Sequence, residues 1–135
     1  MTSSVGHWRL RISAALVVLA ATSATACSDA AEPVAVEEGL QDRGSEVYAS
    51  SCASCHGDRL QGTDKGPPQL SVVYEPGHHP DASYESAIVN GAPQHHWNFG
   101  DMPAVEDVTQ EEIDAVIAYI RAEQERLGFE PYPPE

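Results

Sequence analysis

The stretch Cys52-Ala53-Ser54-Cys55-His56 decides how the rest of this 135-residue sequence is interpreted. Two cysteines at this spacing can form a structural disulfide, act as a thioredoxin-like redox pair, or supply half of a zinc site. A thioredoxin-like pair requires a βαβ context that the sequence lacks, and a zinc site requires a second ligand pair. The only other cysteine is Cys27, so no second cysteine pair exists. These three interpretations therefore explain the stretch poorly.

A C-x-x-C-H pattern is the attachment site of a c-type haem. The thiols of Cys52 and Cys55 can reach the two vinyl groups of one haem as thioethers, and the imidazole of His56 then lies under the iron. Apolar residues make up 41% of the sequence and aromatic residues 7%, which is lean for a chain that must build its own core. We therefore expect one covalently attached haem c at the centre of the domain, with His56 as an iron ligand.

The first 26 residues have the layout of a secretory signal peptide. Arg9 and Arg11 precede an apolar run over residues 12–21, and small residues follow at 22–26 as a cleavage region. The uncharged stretch 12–28 has 17 residues and is rich in Ala, Ser and Thr, which is short for a membrane-spanning helix. We therefore expect residues 1–26 to be removed and the mature protein to lie in the periplasm or on the outer face of the cytoplasmic membrane.

Cys27 stands at the cleavage boundary and has no evident disulfide partner. The position resembles the lipobox of bacterial lipoproteins, whose cysteine is acylated, although Ala24 replaces the leucine usual in that pattern. Ordinary cleavage after Ala26 would leave a free thiol, which is unexpected in an oxidising compartment. Residues 28–39 mix Ala, Pro and acids without a helical stripe. We therefore predict a lipidated N-terminus and a flexible tether over residues 27–39, which would attach the protein to the membrane.

The sequence is strongly acidic. Its net charge is -14, from 7 Lys and Arg against 21 Asp and Glu, and every acid lies from Asp29 onward. Loss of Arg9 and Arg11 with the signal peptide leaves five basic side chains. Affinity for nucleic acid depends on basic side chains that neutralise phosphates, so we expect no nucleic-acid partner. A protein partner with a basic docking patch is expected instead, because opposite charges steer encounters.

From residue 40 onward the pattern predicts an all-α fold of about three main helices and long loops. Residues 40–52 form the first helix. Residues 57–80 have no helical or strand period and are predicted to form a loop. A second helix begins with Asp81 or Ser83 as its cap and ends at Asn90, where a glycine follows.

The third helix has the clearest signals. Thr109 as cap and Glu112 three positions later form a capping box. Apolar residues follow at helical spacing, namely Ile113, Val116, Ile117 and Ile120. We therefore assign residues 40–126 to one domain and residues 127–135 to a C-terminal tail.

Met102 is the only methionine that remains after signal removal, because the sequence holds 2 methionines and the first is the initiator. It lies 46 residues after His56, between Asp101 and Pro103 in a turn-like segment. A methionine that only fills a core is expected on a helix face. A thioether can be an axial ligand of haem iron, so Met102 is the candidate for the second ligand.

Residues from about 40 to 124 resemble a class I, monohaem cytochrome c domain. The motifs that carry the resemblance are Cys52 to Gly57, Leu60-Gln61-Gly62, Pro68-Gln69-Leu70, Asn90-Gly91, Asp101-Met102-Pro103 and Ala118-Tyr119-Ile120-Arg121. The resemblance implies a cytochrome c-like fold around the haem and supports Met102 as the second ligand. In that family the proline of Pro-x-Leu accepts the other N–H of the axial histidine, which gives this role to Pro68. The family usually has glycine before that proline, and Pro67 stands there, so Pro67 is the alternative.

Four further histidines form two adjacent pairs, His78-His79 and His95-His96. They could be ordinary surface residues. One of the second pair could replace Met102 on the iron, or the two pairs could together form a copper or zinc site. The segment 94–99 also fits a wall of the haem pocket through Trp97 and Phe99. The sequence leaves these interpretations open.

Together these features predict an exported, membrane-tethered electron carrier that is not an enzyme by itself. It would pass one electron through a His/Met-ligated haem to or from a respiratory or periplasmic redox partner. The alternative is a haem-based gas or redox sensor, from which Met102 dissociates, or a copper-binding module that uses the two histidine pairs.

Overall fold

The structure is a computed structural model that describes residues 32–133, with side chains described from residue 37. The predicted signal peptide and the predicted lipidation site at Cys27 lie outside the described residues. Within residues 32–133, no helix has both the length and the apolar character needed to cross a bilayer.

Four α-helices and one 3₁₀ turn form the described part of the chain. They are α1 (Glu32–Ser51), α2 (Ala53–His56), the 3₁₀ turn (Val72–Tyr74), α3 (Asp81–Asn90) and α4 (Gln110–Leu127). No β-strand occurs between residues 32 and 133, where only two isolated bridges pair main-chain segments. The prediction of an all-α fold with three main helices and long loops is confirmed.

The first helix begins earlier than the sequence indicated. It starts at Glu32, so residues 32–39, which we predicted to be flexible tether, are helical. Pro33 stands in the first turn, where its missing N–H costs no hydrogen bond, and an acidic residue is favourable near the positive end of the helix dipole. The tether prediction failed because this segment is exposed where its side chains are described and therefore shows no apolar stripe.

Helices α1 and α4 pack closely at Gly44. A Cβ atom at this position would lie 2.1 Å from the carbonyl oxygen of Ala115 and 2.7 Å from the Cβ of Tyr119. Ala115 is completely buried. Gly44 therefore does more than weaken the helix: its missing side chain lets the backbone of α4 approach α1.

The ends of α3 and α4 show which capping predictions hold. The residue before α3 is Pro80, and it makes no side-chain cap, so the prediction of Asp81 or Ser83 as cap was wrong. Asp81 is the first helical residue, where its charge suits the helix dipole. The capping box of α4 is confirmed, because both hydrogen bonds between Thr109 and Glu112 are present. Glu112 also pairs with Arg43 of α1.

The buried side chains form one cluster between the helices and the loop 57–80. Its members are Val47, Tyr48, Leu60, Leu70, Tyr84, Ile88, Ile113, Val116, Ile117 and Ile120. All four apolar residues predicted for the face of α4 belong to it. Tyr48, Tyr84, Ile88, Val116 and Ile120 also line a cavity, so the core is open on one side.

Residues 128–133 are attached to the domain rather than projecting from it. Glu130 donates its N–H to the carbonyl of Leu70 at 2.7 Å and accepts from the N–H of Val72 at 2.8 Å. The Tyr132 hydroxyl donates to the carbonyl of His96 at 2.6 Å. The stretch that we predicted to be a tail is therefore part of the fold. It is held by main-chain hydrogen bonds, which no local sequence pattern indicates.

Candidate haem-binding site

One large cavity of about 540 Å³ brings together residues that are far apart in sequence. Cys52 and His56 line one side, Met102 lines it with the loop 91–102, and apolar core residues form its floor. This volume is in the range of sites that hold cofactors, about 300–1,000 Å³. Three of the predicted cofactor-binding residues therefore face one space large enough for an organic cofactor.

The wall that we call the proximal wall consists of Cys52, His56 and Pro67. Cys55 lies beside it in the C-x-x-C-H stretch, and neither Cys55 nor Pro68 lines the cavity. The N–H of Cys52 donates to the carbonyl of Tyr48 at 2.9 Å, and the N–H of His56 donates to the carbonyl of Cys52 at 2.9 Å. Both thiols are free and half-buried. Burial, and then the neighbouring Cys55, raise the pKa of the Cys52 thiol to about 11. Before attachment this thiol is therefore protonated at neutral pH.

His56 is oriented by a main-chain carbonyl. Its Nδ1 lies 2.9 Å from the carbonyl oxygen of Pro67 and 2.9 Å from Nε2 of Gln69. A carbonyl oxygen can only accept, so the hydrogen on Nδ1 is donated to Pro67. Our assignment of this role to Pro68 was wrong, because the turn directs the carbonyl of Pro67 towards the ring. Burial lowers the pKa of His56, and the bond to Pro67 acts against it. The ring is therefore neutral, with Nε2 available as a ligand atom.

Gln69 provides a test of whether the cavity suits a partly polar cofactor. Its Oε1 is buried and has no hydrogen-bond partner among the described residues, although Gln69 lines the cavity. The side chain of Gln124 fixes the segment by donating to the carbonyl of Gln69 at 2.7 Å. The amide of Gln69 lies against His56, since its Nε2 is 2.9 Å from Nδ1 of that ring. The apolar lining of the cavity and the neutral His56 are therefore the features that fit a haem, whose macrocycle is apolar.

Met102 lies in the wall that we call the distal wall, residues 91–102. Its main chain is joined to Ala92 by two hydrogen bonds of 2.9 and 2.8 Å. Gly91 makes this approach possible, because a Cβ there would lie 2.6 Å from the carbonyl oxygen of Met102. The end of α3 therefore determines where the thioether side chain stands.

Aromatic rings form the rest of the distal wall. Trp97 and Phe99 line the cavity, as the sequence predicted. The ring of Trp97 stacks on Tyr74, with ring centroids 5.8 Å apart. Tyr132 packs edge-on against the same Trp97 ring, with centroids 5.0 Å apart. The N–H of Gly100 donates to Oε1 of Gln94 at 3.0 Å, which closes the loop.

The two histidine pairs lie next to each other although they are separated by about one helix in the sequence. Nε2 of His78 lies 3.2 Å from Nε2 of His96, and Nε2 of His79 lies 3.3 Å from Nε2 of His95. His79, His95 and His96 also line the cavity. The histidines therefore form one cluster at its edge, which we call the histidine cluster.

Arg121 is a residue whose role the sequence did not reveal. Its guanidinium donates to the carbonyl of Tyr74 at 2.6 Å, donates to the carbonyl of His79, and pairs with Asp81 at 2.7 Å. It also lies over the ring of Tyr84, 4.8 Å from the centroid. The only available signal was its place in the terminal-helix motif. Arg121 fastens the loop before α3 to α4.

Comparison with known proteins identifies the family of the chain. A family model described as Cytochrome c matches residues 41–123. Among solved structures, the chain is similar to cytochrome cL from Hyphomicrobium denitrificans, with 23% sequence identity and a TM-score of 0.49. That match covers 71% of this chain and 62% of the other. No curated protein matches the sequence significantly.

Proposed function

Since the chain belongs to the cytochrome c family, we propose that it is an exported, membrane-tethered carrier that exchanges single electrons with a respiratory or periplasmic redox partner. Family membership makes it an electron-transfer cytochrome with one covalently bound haem c. That it carries electrons without being an enzyme by itself is part of our proposal. Domains of this family are typically extracytoplasmic. The tether, the ligands and the partner are our proposals.

The observation that carries the proposal is the arrangement of Cys52, His56 and Met102 around one cavity. Cys52 and Cys55 would hold the haem as thioethers, which would prevent its loss. His56 would bind the iron through Nε2, with Nδ1 hydrogen-bonded to the carbonyl of Pro67. When bound, the haem supplies a one-electron couple between ferric and ferrous iron.

Met102 completes the coordination in this proposal. Its main chain is held by two hydrogen bonds to Ala92, so the side chain needs little reorganisation to remain on the iron in both oxidation states. Met/His ligation raises the reduction potential. A closed coordination sphere favours electron transfer over binding of a gas, which is the function of the competing sensor hypothesis.

The partner would carry a basic docking patch, because the chain has a net charge of -14. Opposite charges accelerate encounter and are screened by salt over a Debye length of about 10 Å at 0.1 M. The protein would act alone or as a subunit or partner of an oxidoreductase.

The ligand assignment is tested by Met102→Ala. In the unaltered oxidised protein we expect the weak near-red sulfur-to-iron charge-transfer band, and the variant should lose it. The variant should also have a lower potential and bind carbon monoxide in the ferrous state, because the sixth position becomes open. His95→Ala is the control and should keep the band. A band that is absent in the unaltered protein, together with a spectrum that responds to His95→Ala, would give the ligand role to histidine.

The anchor is tested by Cys27→Ser in the native host. If Cys27 is acylated, this change should release the cytochrome from membranes into the soluble fraction and leave its visible spectrum unchanged. Mass spectrometry of the mature N-terminus provides the direct measurement. A mature protein without lipid would contradict the anchor and leave a soluble carrier.

A further inference from the structure

The histidine cluster contains every described histidine except His56. Its ligand-atom geometry is compact: one nitrogen each of His78, His79 and His96 lie within 4.8 Å of one another. His95 lies outside this group of three, although its Nε2 is 3.3 Å from Nε2 of His79. His78 is exposed, whereas His79 and His96 are half-buried, so the cluster is open to solvent on one side and reaches the cavity on the other.

Hydrogen bonds on the other ring nitrogens determine which atoms face each other. Nδ1 of His79 lies 2.6 Å from the carbonyl oxygen of Val73, and Nδ1 of His95 lies 2.8 Å from that of Pro93. A carbonyl only accepts, so both Nδ1 atoms carry hydrogen. In neutral rings both Nε2 atoms then present lone pairs to each other at 3.3 Å. Two facing lone pairs repel unless a cation lies between them.

These distances match those between nitrogen ligands of one metal ion. Two nitrogens that are each about 2.0–2.1 Å from a tetrahedral metal are about 3.3–3.4 Å apart. The two Nε2–Nε2 distances are 3.2 and 3.3 Å. Histidines that bind metal usually donate their other N–H to a carbonyl or carboxylate, as His79 and His95 do here. The outer hydrogen bonds of His79 and His95 are therefore already formed.

We propose that His78, His79 and His96 bind one late first-row transition-metal ion at the edge of the haem cavity, that the exposed side chain of His95 joins them by a small shift, and that copper(II) is bound more tightly than zinc. Imidazole ligands suit both ions, and copper(II) has the higher affinity in the order of divalent metals. The protein's negative charge attracts a cation. The guanidinium of Arg121 donates to the carbonyl of His79, and its charge is paired with Asp81.

A shared proton or the carboxylates of the haem could occupy the histidine cluster instead of a metal ion, and metal titration distinguishes them from the proposal. A proton could be shared between His79 and His95, but burial and the neighbouring histidines lower the pKa of His79 and His96. Alternatively, the histidines could donate to the carboxylates of the haem. Neither alternative gives stoichiometric binding of a metal ion.

The test uses haem-loaded protein treated with a chelator and then titrated with copper(II) sulfate or zinc sulfate. We expect one equivalent of copper(II) by calorimetry and nitrogen hyperfine structure in its electron paramagnetic resonance spectrum. The double change His78→Ala with His96→Ala should weaken binding about 100-fold, and His95→Ala alone about tenfold. As a matched control, Asp114→Asn with Glu125→Gln removes two exposed acids from α4 and should leave the affinity unchanged.

The visible spectrum of the haem shows whether each variant is folded. Unchanged affinity in both histidine variants would overturn the proposal, because the ion would then bind to surface acids. Absence of stoichiometric binding in the unaltered protein would also overturn it and would assign the histidines to proton sharing or to the haem carboxylates. Because the measurement is metal binding rather than electron exchange, either result leaves the proposed carrier function untouched.

Discussion

The proximal and distal walls of the cavity are built in different ways. The proximal wall is held mostly by hydrogen bonds between residues four apart in sequence, such as Tyr48 to Cys52 and Cys52 to His56. The distal wall is loop, and its hydrogen bonds span more residues: Ala92 and Met102 pair across the loop, and Tyr132 of the C-terminal segment donates to His96. The first wall therefore follows from local sequence, whereas the second depends on how the whole chain folds.

The largest effect is expected at the helix pair that carries the proximal wall. Gly44→Ala places a Cβ 2.1 Å from the carbonyl oxygen of Ala115, so α1 must move away from α4. We expect the free energy of unfolding to fall by about 3 kcal/mol, measured by denaturant titration. Haem attachment should persist in the molecules that fold.

Gly39→Ala is the matched control for this change. Gly39 lies in the same helix, and a Cβ there would meet no atom within 4 Å. The higher helix propensity of alanine should raise stability by up to about 1 kcal/mol. If both variants shifted stability by the same amount, close packing at Gly44 would not matter for the frame of the proximal wall.

The second prediction concerns the anchor of the loop that precedes α3. Arg121→Met keeps an apolar stem against Tyr84 but leaves the carbonyls of Tyr74 and His79 without their donor. Leaving half-buried carbonyl oxygens without their charged donor lowers the free energy of unfolding by about 2 kcal/mol. We expect that loss of stability in thermal or denaturant unfolding, and weaker copper binding because His79 is no longer held.

Arg126→Met is the control, and it tests whether removing any arginine of α4 lowers stability as much as Arg121→Met does. Arg126 pairs only with Glu123 among the described residues, and its side chain is 62% exposed. Exposed ion pairs contribute about 0.5 kcal/mol or less. Equal losses for the two variants would show that Arg121 acts through helix charge and not through the loop carbonyls.

The same contrast explains how much could be predicted from the sequence. The C-x-x-C-H stretch, the capping box of Thr109 and the end of α3 at Asn90 are local patterns, and the structure has them where the sequence indicated. Met102 was identified because no other methionine remained. Pro67 could not be separated from Pro68, since the answer depends on the direction of one carbonyl.

Long-range contacts account for what the sequence did not reveal. Nothing near Gly44 indicates that Ala115 lies against it. The hydrogen bonds of Arg121 reach residues 40 to 47 positions away. The two histidine pairs were recognised separately, but their contact depends on α3 turning the chain back. Such features require the three-dimensional arrangement, because each partner is ordinary in its own sequence context.

The smallest change in stability, and the sharpest test of the distal wall, is expected for Gly91→Ala. Gly91 has φ 75° and ψ 174°, a conformation that alanine adopts only with strain of about 1–2 kcal/mol. The added Cβ would also lie 2.6 Å from the carbonyl oxygen of Met102. The bridge between Ala92 and Met102 should therefore open, which would loosen the Met102 side chain while the proximal wall remains intact. We expect retained haem attachment, a weaker near-red band and faster binding of carbon monoxide to the ferrous protein.

Gly100→Ala separates backbone strain from this contact. Gly100 also has a positive φ, 91°, but a Cβ there would meet nothing within 4 Å. The variant should lose only the stability that backbone strain costs, about 1–2 kcal/mol by denaturant titration, and should keep the band and the slow reaction with carbon monoxide. Equal spectral changes in both variants would mean that strain anywhere in the loop releases Met102. Unchanged spectra in both variants would mean that the thioether is held by its bond to iron and not by the main chain of the distal wall. The two walls would then not differ in how they hold their iron ligands.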